Sequence, residues 1–114
     1  QHGEGGGGRQ VLKTADETAK IMVNALLKDL DVQNGEKLML IINGVGSTTI
    51  MEQLIVYRAC EKYLAEKDIA VVAGVANNLL TVQDMAGFQM FIARMDEELL
   101  GYWQAPCHTP YFSK

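Results

Sequence analysis

The sequence has little cysteine, no excess of basic residues and no long apolar run. Two cysteines in 114 residues are too few for the disulfide framework of a small secreted domain. Lys and Arg number 10 against 14 for Asp and Glu, a net charge of −4 that argues against nucleic acid as a partner. No apolar run approaches the roughly 20 residues that cross a bilayer, so no membrane partner is expected. These shortages predict a reduced, cytoplasmic protein.

The remaining composition is that of one folded domain, with 48% hydrophobic and 21% charged residues. The chain begins Gln1-His2-Gly3 without an initiator methionine, and we expect it to be a piece of a longer protein. Residues 1–13 are predicted to be a glycine-rich loop or edge, because the four glycines from Gly5 to Gly8 lose much backbone entropy on ordering. Residues 14–114 are predicted to form the domain.

Two long helices are predicted from capping boxes followed by apolar residues at helical spacing. Thr14 and Glu17 begin the first helix, which continues to Leu30. Thr49 and Glu52 begin the second, which continues to Glu66.

Three strands are predicted from short apolar runs, over Leu38–Ile42, Ile69–Ala76 and Phe88–Met95. The first two strands flank the second long helix, which makes one βαβ unit with parallel strands. A short helical turn is predicted over 81–87, and a short helix after the carboxylates that start at Asp96. The fold class is therefore α/β, a sheet covered by helices, followed by an irregular tail.

The segment from Gly44 to Thr49 lies where a dinucleotide-binding loop would lie, between a strand and a helix. It lacks the third glycine, the acidic residue after the next strand and the lysine of a phosphate-binding loop. The pattern favours a tight turn with positive φ, and an anion or polyol site at the helix start is the alternative.

Asn43, Asn77 and Asn78 follow the two parallel strands and are predicted to share one sheet edge, as turn formers or as ligand contacts. Cys60 is predicted to fill the core. The neighbouring Cys107 and His108 are predicted to lie in a solvated tail, and no metal site or bound cofactor is predicted for this chain.

Several motifs in series resemble the C-terminal half of the substrate-binding part of dihydroxyacetone (glycerone) kinases. They are His2-Gly3-Glu4, Ile42-Asn43-Gly44-Val45-Gly46-Ser47-Thr48 running into Glu52, Asp84-Met85-Ala86-Gly87-Phe88, Asp96-Glu97-Glu98 and Trp103-Gln104-Ala105-Pro106-Cys107-His108-Thr109-Pro110. The resemblance spans nearly the whole chain. It implies a two-layer mixed sheet with helices on one face, the DegV-like second subdomain of that family, and a homodimer.

The resemblance also implies a role for His2, which matches the histidine that binds dihydroxyacetone covalently as a hemiaminal. Gly3, Glu4, Asn43 and Gly44 would lie near this substrate site. One departure is Gly5, which replaces the family's proline and predicts a looser loop around the histidine.

The family's other substrate contacts and its acid/base residues lie in an N-terminal half that this sequence does not contain. The phosphoryl donor, ATP/ADP-Mg or a phosphocarrier protein, is bound by a helical nucleotide-binding domain or subunit in the family. We therefore expect the piece alone to be inactive.

Two other functions stay open at this point. One is a dihydroxyacetone-sensing coactivator that kept the pocket and lost catalysis, since related proteins act in this way. The other is a structural or dimerisation module, because the helix from Ile50 to Leu64 has few polar positions.

Overall fold

A computed structural model describes residues 13–114, and the elements follow one another as helix, strand, helix, strand, strand, helix. Their bounds are α1 Ala15–Leu30, β1 Lys37–Gly46, α2 Ile50–Glu66, β2 Ala70–Asn77, β3 Ala86–Arg94 and α3 Glu97–Gln104. The predicted N-terminal segment 1–13, with its histidine, lies outside this range except for Lys13.

The three strands form one mixed sheet in the order β2-β1-β3. β1 pairs parallel with β2, which confirms the βαβ unit, and antiparallel with β3. The register is continuous along β3, whereas the pairing with β2 contains an irregularity between Leu38 and Met39.

Both long helices begin where the sequence predicted. In α1, Thr14 Oγ1 accepts from the N–H of Glu17 and the Glu17 carboxylate accepts from the N–H of Thr14, each at 3.2 Å. In α2, Thr49 and Glu52 exchange the same two bonds at 3.2 and 2.7 Å. These contacts satisfy backbone donors that the first turn of a helix leaves free.

The core lies between the sheet and the two long helices. Leu38, Leu40 and Ile42 alternate along β1 toward this side and are fully buried. They pack with buried residues of the helices, chiefly Ala19, Val23, Val56, Cys60 and Leu64. The fold-class prediction, an α/β sheet with helices on one face, is confirmed.

The sequence underestimated the length of β1 and misassigned the segment that precedes β3. β1 was predicted to end at Ile42, but it continues to Gly46 because its last residues pair with the beginning of β3. The helical turn predicted over 81–87 is wrong. Thr81 Oγ1 accepts from the Gly46 N–H at 2.7 Å, and the Met85 carbonyl accepts from the Ser47 N–H at 2.8 Å. The segment therefore bonds to the end of β1 instead of forming a helical turn of its own.

The tail was predicted to be irregular, and it contains one small hairpin. The backbones of Cys107 and Lys114 exchange two hydrogen bonds of 3.0 Å, and His108 pairs with Ser113. Cys107 and His108 are exposed, as predicted, and Cys60 is buried in the core, also as predicted.

Candidate functional site

Several polar residues lie together at one edge of the sheet, where the two parallel strands end. Asn43 of β1 lies opposite Asn77 of β2, so the predicted asparagine edge is confirmed. Both long helices also begin at this edge. Residues around the start of each helix, Lys13 for α1 and Thr48 and Glu52 for α2, line the same cavity beside it. Ligands of α/β proteins bind most often at such an edge.

Asn43 holds the chain that follows β2. Its side chain is only 2% exposed. Its Oδ1 accepts from the N–H groups of Leu79 and Leu80 at 2.7 and 3.0 Å. Its Nδ2 donates to the Leu80 carbonyl at 2.7 Å and to Gln89 Oε1 at 2.8 Å. The amide thus directs its donors and acceptor into the fold, and it positions the loop without presenting a group to a ligand.

A second amide pair lies on the helix side of the same edge. The fully buried Gln53 of α2 donates from Nε2 to Asn78 Oδ1 at 2.6 Å and to the Thr48 carbonyl at 3.3 Å. Gly44 makes room for this pair, because a Cβ on Gly44 would lie 1.9 Å from Gln53 Nε2. Among residues 13–114, no donor reaches Gln53 Oε1.

An open cleft of about 770 Å³ lies between the end of β1 and the segment 78–86, and we call it the loop cleft. Polar groups of Ser47, Asn78, Thr81, Gln83 and Asp84 line it. Two of its backbone positions have positive φ, Gly46 at 70° and Asp84 at 53°. The positive φ that was predicted for the glycine turn is thus found at Gly46, the last residue of β1.

A smaller cavity of about 390 Å³, the helix cleft, lies between the first turns of α1 and α2 and the start of β3. Hydroxyl and charged groups of Lys13, Thr18, Ser47, Thr48 and Glu52 line it, together with the apolar side chains of Val56 and Phe88. Lys13, the first described residue, is part of this lining. A small polyhydroxylated molecule has the size and polarity that such a cleft admits.

One carboxylate beside the helix cleft and two groups nearer the core have shifted pKa values. Bonds from the Thr49 backbone and hydroxyl hold the pKa of Glu52 below its ordinary value, so this carboxylate stays ionised at neutral pH. In the core, burial raises the pKa of the Cys60 thiol to about 12. Burial, with the nearby Glu61 charge, also raises the pKa of Tyr57. None of these three groups is poised to exchange a proton near pH 7.

The structure brings together only part of the predicted site. Asn43 and Gly44 lie at the sheet edge, whereas His2, Gly3 and Glu4 lie outside the described residues. Over residues 13–114 no cluster of three or more His, Cys, Asp or Glu could hold a metal ion. Within the same range, every helix is too short or too polar to span a membrane.

Sequence analysis missed Gln53, Thr81 and Gln89. One signal was available for Gln53, because it shares a helical face with the apolar residues at positions 56, 60 and 64. A glutamine on a core-facing stripe requires a buried polar partner. Thr81 and Gln89 carried no such signal.

The described residues form a small α/β domain with a polar edge at the carboxyl ends of its parallel strands. A sequence profile of the Dak1 domain matches residues 1–111, and the chain belongs to the Dak1 domain family. The relationship to dihydroxyacetone kinases suggested by the motif series is confirmed.

Two relatives illustrate the range of names in this family. The chain is 33% identical over 111 residues to the dihydroxyacetone-binding subunit DhaK of PTS-dependent dihydroxyacetone kinase 2 from Listeria innocua, covering 97% of this chain and 34% of that subunit. It is 34% identical over 117 residues to the L-erythrulose kinase of Pectobacterium atrosepticum, covering 99% of this chain and 20% of that enzyme.

A solved structure, the dihydroxyacetone kinase operon co-activator Dha-DhaQ, has the same fold. It superposes with a TM-score of 0.81 at 26% identity over 91% of this chain and 33% of its own. The chain thus spans about a third or less of the length of these relatives.

Proposed function

We propose that this chain is the C-terminal part of a dihydroxyacetone kinase substrate-binding subunit, and that His2 anchors the substrate. The observation that carries the proposal is the Dak1 match over residues 1–111, which includes the histidine motif. The names of the relatives support it, since they are dihydroxyacetone-binding subunits and erythrulose kinases. The substrate class is a short ketose, and the place of action is the cytoplasm.

The anchoring step is an addition in which nothing leaves. A neutral imidazole nitrogen of His2 attacks the ketone carbon, and the π electron pair of the carbonyl moves onto its oxygen. That oxygen takes up the proton that the imidazole ring gives up, so the hemiaminal contains all atoms of both reactants. Because an imidazole has a pKa of about 6.5, much of it is neutral at pH 7. Glycerol has no carbonyl group, so His2 cannot bind it covalently.

The phosphoryl donor belongs to a partner domain or subunit in this proposal. ATP-Mg and a phosphocarrier protein are the two candidate donors. The described turn into α2 has no lysine for a phosphate, and the capping box uses two of its backbone donors, the N–H groups of Thr49 and Glu52. Asn43, Gly44 and Gln53 contribute indirectly, by fixing the wall of the loop cleft.

The histidine content of the chain allows a sharp test, because His2 and His108 are its two histidines. The complete protein that contains this chain is incubated with dihydroxyacetone labelled with ¹³C at the carbonyl carbon. We expect that resonance to move from the ketone range to the tetrahedral range, in a His108→Asn variant as in the parent protein. The His2→Asn variant should leave only the ketone and hydrate resonances that free dihydroxyacetone shows without protein. A further tetrahedral resonance, bound to the protein and surviving His2→Asn, would overturn the anchor.

A second function is favoured by one observation, the TM-score of 0.81 to a protein described as an operon co-activator. A sensor would form the same adduct without phosphorylating it. Turnover of dihydroxyacetone by the complete protein with each donor separates the two functions, because a sensor gives adduct and no phosphorylated product.

A further inference from the structure

Asn78 lines the loop cleft and is held on three sides by the fold. Its Oδ1 accepts from Gln53 Nε2 at 2.6 Å, its backbone N–H donates to Asn77 Oδ1 at 2.8 Å, and its carbonyl accepts from the Tyr111 hydroxyl. None of the hydrogen bonds that Asn78 makes among residues 13–114 uses Nδ2. The side-chain N–H2 group is therefore a fixed donor that stays available to a ligand in the cleft.

The orientation of the Asn78 amide follows from the carbonyl oxygen of Thr48. Gln53 Nε2 lies 3.3 Å from that oxygen and 2.6 Å from Asn78 Oδ1, so it donates to two acceptors at once. A reversed Gln53 amide would set its oxygen against the Thr48 oxygen with no proton between them. Asn78 must therefore turn its oxygen toward Gln53 and its N–H2 group away from it.

Three further polar groups of the loop cleft supply one donor and two acceptors. The Thr81 hydroxyl oxygen accepts from the Gly46 N–H at 2.7 Å, which leaves its proton to donate. The Ser47 hydroxyl donates to the Met85 carbonyl at 3.3 Å, which leaves its lone pairs to accept. The Asp84 carboxylate also lines the cleft and only accepts. A ligand thus meets both kinds of group.

The charge of the loop cleft disfavours an anionic ligand. Within the described part of the chain, no lysine, arginine or histidine lines the cleft, and Asp84 is its one charged residue. A phosphate group would lie beside this carboxylate without a cation to balance it. Hydroxyl groups both donate and accept, so a neutral polyhydroxylated molecule suits the polar lining, and its CH groups suit Val82 and Met85.

We propose that the loop cleft binds a small neutral sugar or sugar alcohol. Asn78 and Thr81 donate to the hydroxyl oxygens of this ligand, and Ser47 and Asp84 accept from its hydroxyl protons. The charge of Asp84 rejects the phosphorylated form of the same ligand. The site does not depend on the anchoring step proposed for His2, because it requires no carbonyl group.

Glycerol and glycerol 3-phosphate are suitable probes, because they differ by the phosphate and neither can form a hemiaminal. The complete protein that contains this chain is labelled with ¹⁵N at asparagine, and the Asn78 N–H2 pair is assigned by its loss in Asn78→Asp. We expect glycerol to shift this pair to saturation, and glycerol 3-phosphate to bind on the order of 10-fold more weakly. The N–H2 pairs of the buried Asn43 and the exposed Asn34 are controls and should not shift.

Two substitutions of Asp84 separate its charge from its hydrogen bonds. Its φ of 53° is a conformation that asparagine and glycine adopt as well, so both variants keep the backbone. Asp84→Asn keeps an acceptor without the charge, and the preference for glycerol over its phosphate should fall on the order of 10-fold. Asp84→Gly removes the acceptor and should weaken glycerol binding on the order of 10-fold.

Three outcomes would overturn the proposal. They are an Asn78 pair that glycerol does not shift to saturation, equal binding of the two probes by the parent protein, and undiminished glycerol binding by an Asp84→Gly variant whose Asn43 pair shows that it is folded. If Asp84→Gly does not fold, Asp84→Asn decides, and an unchanged preference between the probes rejects the site. The carbonyl-labelling test of His2 has a separate readout, so either proposal can fail alone.

Discussion

The side chain of Asn43 binds both backbone groups of Leu80, accepting from its N–H at 3.0 Å and donating to its carbonyl at 2.7 Å. These two bonds resemble the backbone pairing of neighbouring strands, and they lie where the pairing between β1 and β2 ends. They fix the path of the segment that follows, residues 78–86. The buried amide of Asn43 therefore helps to hold the wall of the loop cleft, together with the bonds from Gln53 to Asn78 and from Gly46 to Thr81.

Removing that amide should destabilise the fold. In Asn43→Ala, the N–H groups of Leu79 and Leu80 lose their acceptor, and we expect a loss of about 2–4 kcal/mol in the free energy of unfolding. Urea denaturation followed by circular dichroism measures it. The control is Asn34→Ala in an exposed turn, which should change stability by less than about 0.5 kcal/mol. Equal effects of the two substitutions would show that the Asn43 contacts contribute nothing.

Gly46 and Gly101 form a second matched pair. Gly46 has a φ of 70°, and a Cβ there would lie 1.8 Å from the Met85 carbonyl oxygen, a backbone atom that cannot move aside cheaply. We expect Gly46→Ala to cost at least about 2 kcal/mol. Gly101 lies inside α3 with open space around it, so Gly101→Ala should stabilise the chain by about 0.5–1 kcal/mol. Thermal unfolding measures both, and the same sign for the two variants would contradict this account.

The helices could be predicted from the sequence because their signals are local. The capping boxes of Thr14 and Thr49 involve residues three positions apart, and the apolar spacing that follows each box is read directly from the sequence. The end of β1 could not be predicted, because Gly46 pairs with Ala86, forty positions later. A similar separation, 35 positions, explains why a turn was wrongly predicted at Thr81, whose hydroxyl binds Gly46.

The candidate site was predictable only in outline. Asn43 and Asn77 follow the apolar runs of two parallel strands, so they lie at the same edge of the sheet. This placement could be predicted from the βαβ pattern alone. The use of Asn43 inside the fold depends on Leu80 and Gln89, which no local rule connects with it. His2 entered through the family resemblance, and its role stays a prediction.

The free energy of unfolding should decrease in acid, because the carboxylates of Glu36 and Glu52 accept hydrogen bonds in the folded chain that they lack in the unfolded chain. Arg94 first, then a bond from the Gln33 backbone, holds the pKa of Glu36 below its ordinary value, and Thr49 does the same for Glu52. Each of these carboxylates has a lower pKa in the folded chain than in the unfolded chain. Its contribution to the free energy of unfolding is therefore present above the unfolded pKa of about 4.3, and is lost as the pH falls from there toward the pKa of the folded chain.

The double variant with Glu36→Gln and Glu52→Gln should therefore show a weaker loss of stability between about pH 5 and pH 3 than the parent chain. Urea midpoints at a series of pH values measure this loss. Glu66→Gln, which removes one exposed carboxylate of α2 outside both contacts, is the control and should keep the parent's slope. A double variant with an unchanged slope would assign the acid sensitivity to other groups.

The two cysteines should differ sharply in reactivity. The thiolate is the reactive form, and burial raises the pKa of Cys60 to about 12, so at pH 8 this thiol is both protonated and covered. Cys107 is exposed in the tail hairpin and should react first. A disulfide reagent such as Ellman's should titrate one thiol rapidly in the native chain and two in guanidinium chloride. In Cys107→Ser, the rapid phase should disappear, and the remaining thiol should react only as the chain unfolds. Two native thiols reacting at one rate would show that the core around Cys60 opens faster than this packing allows.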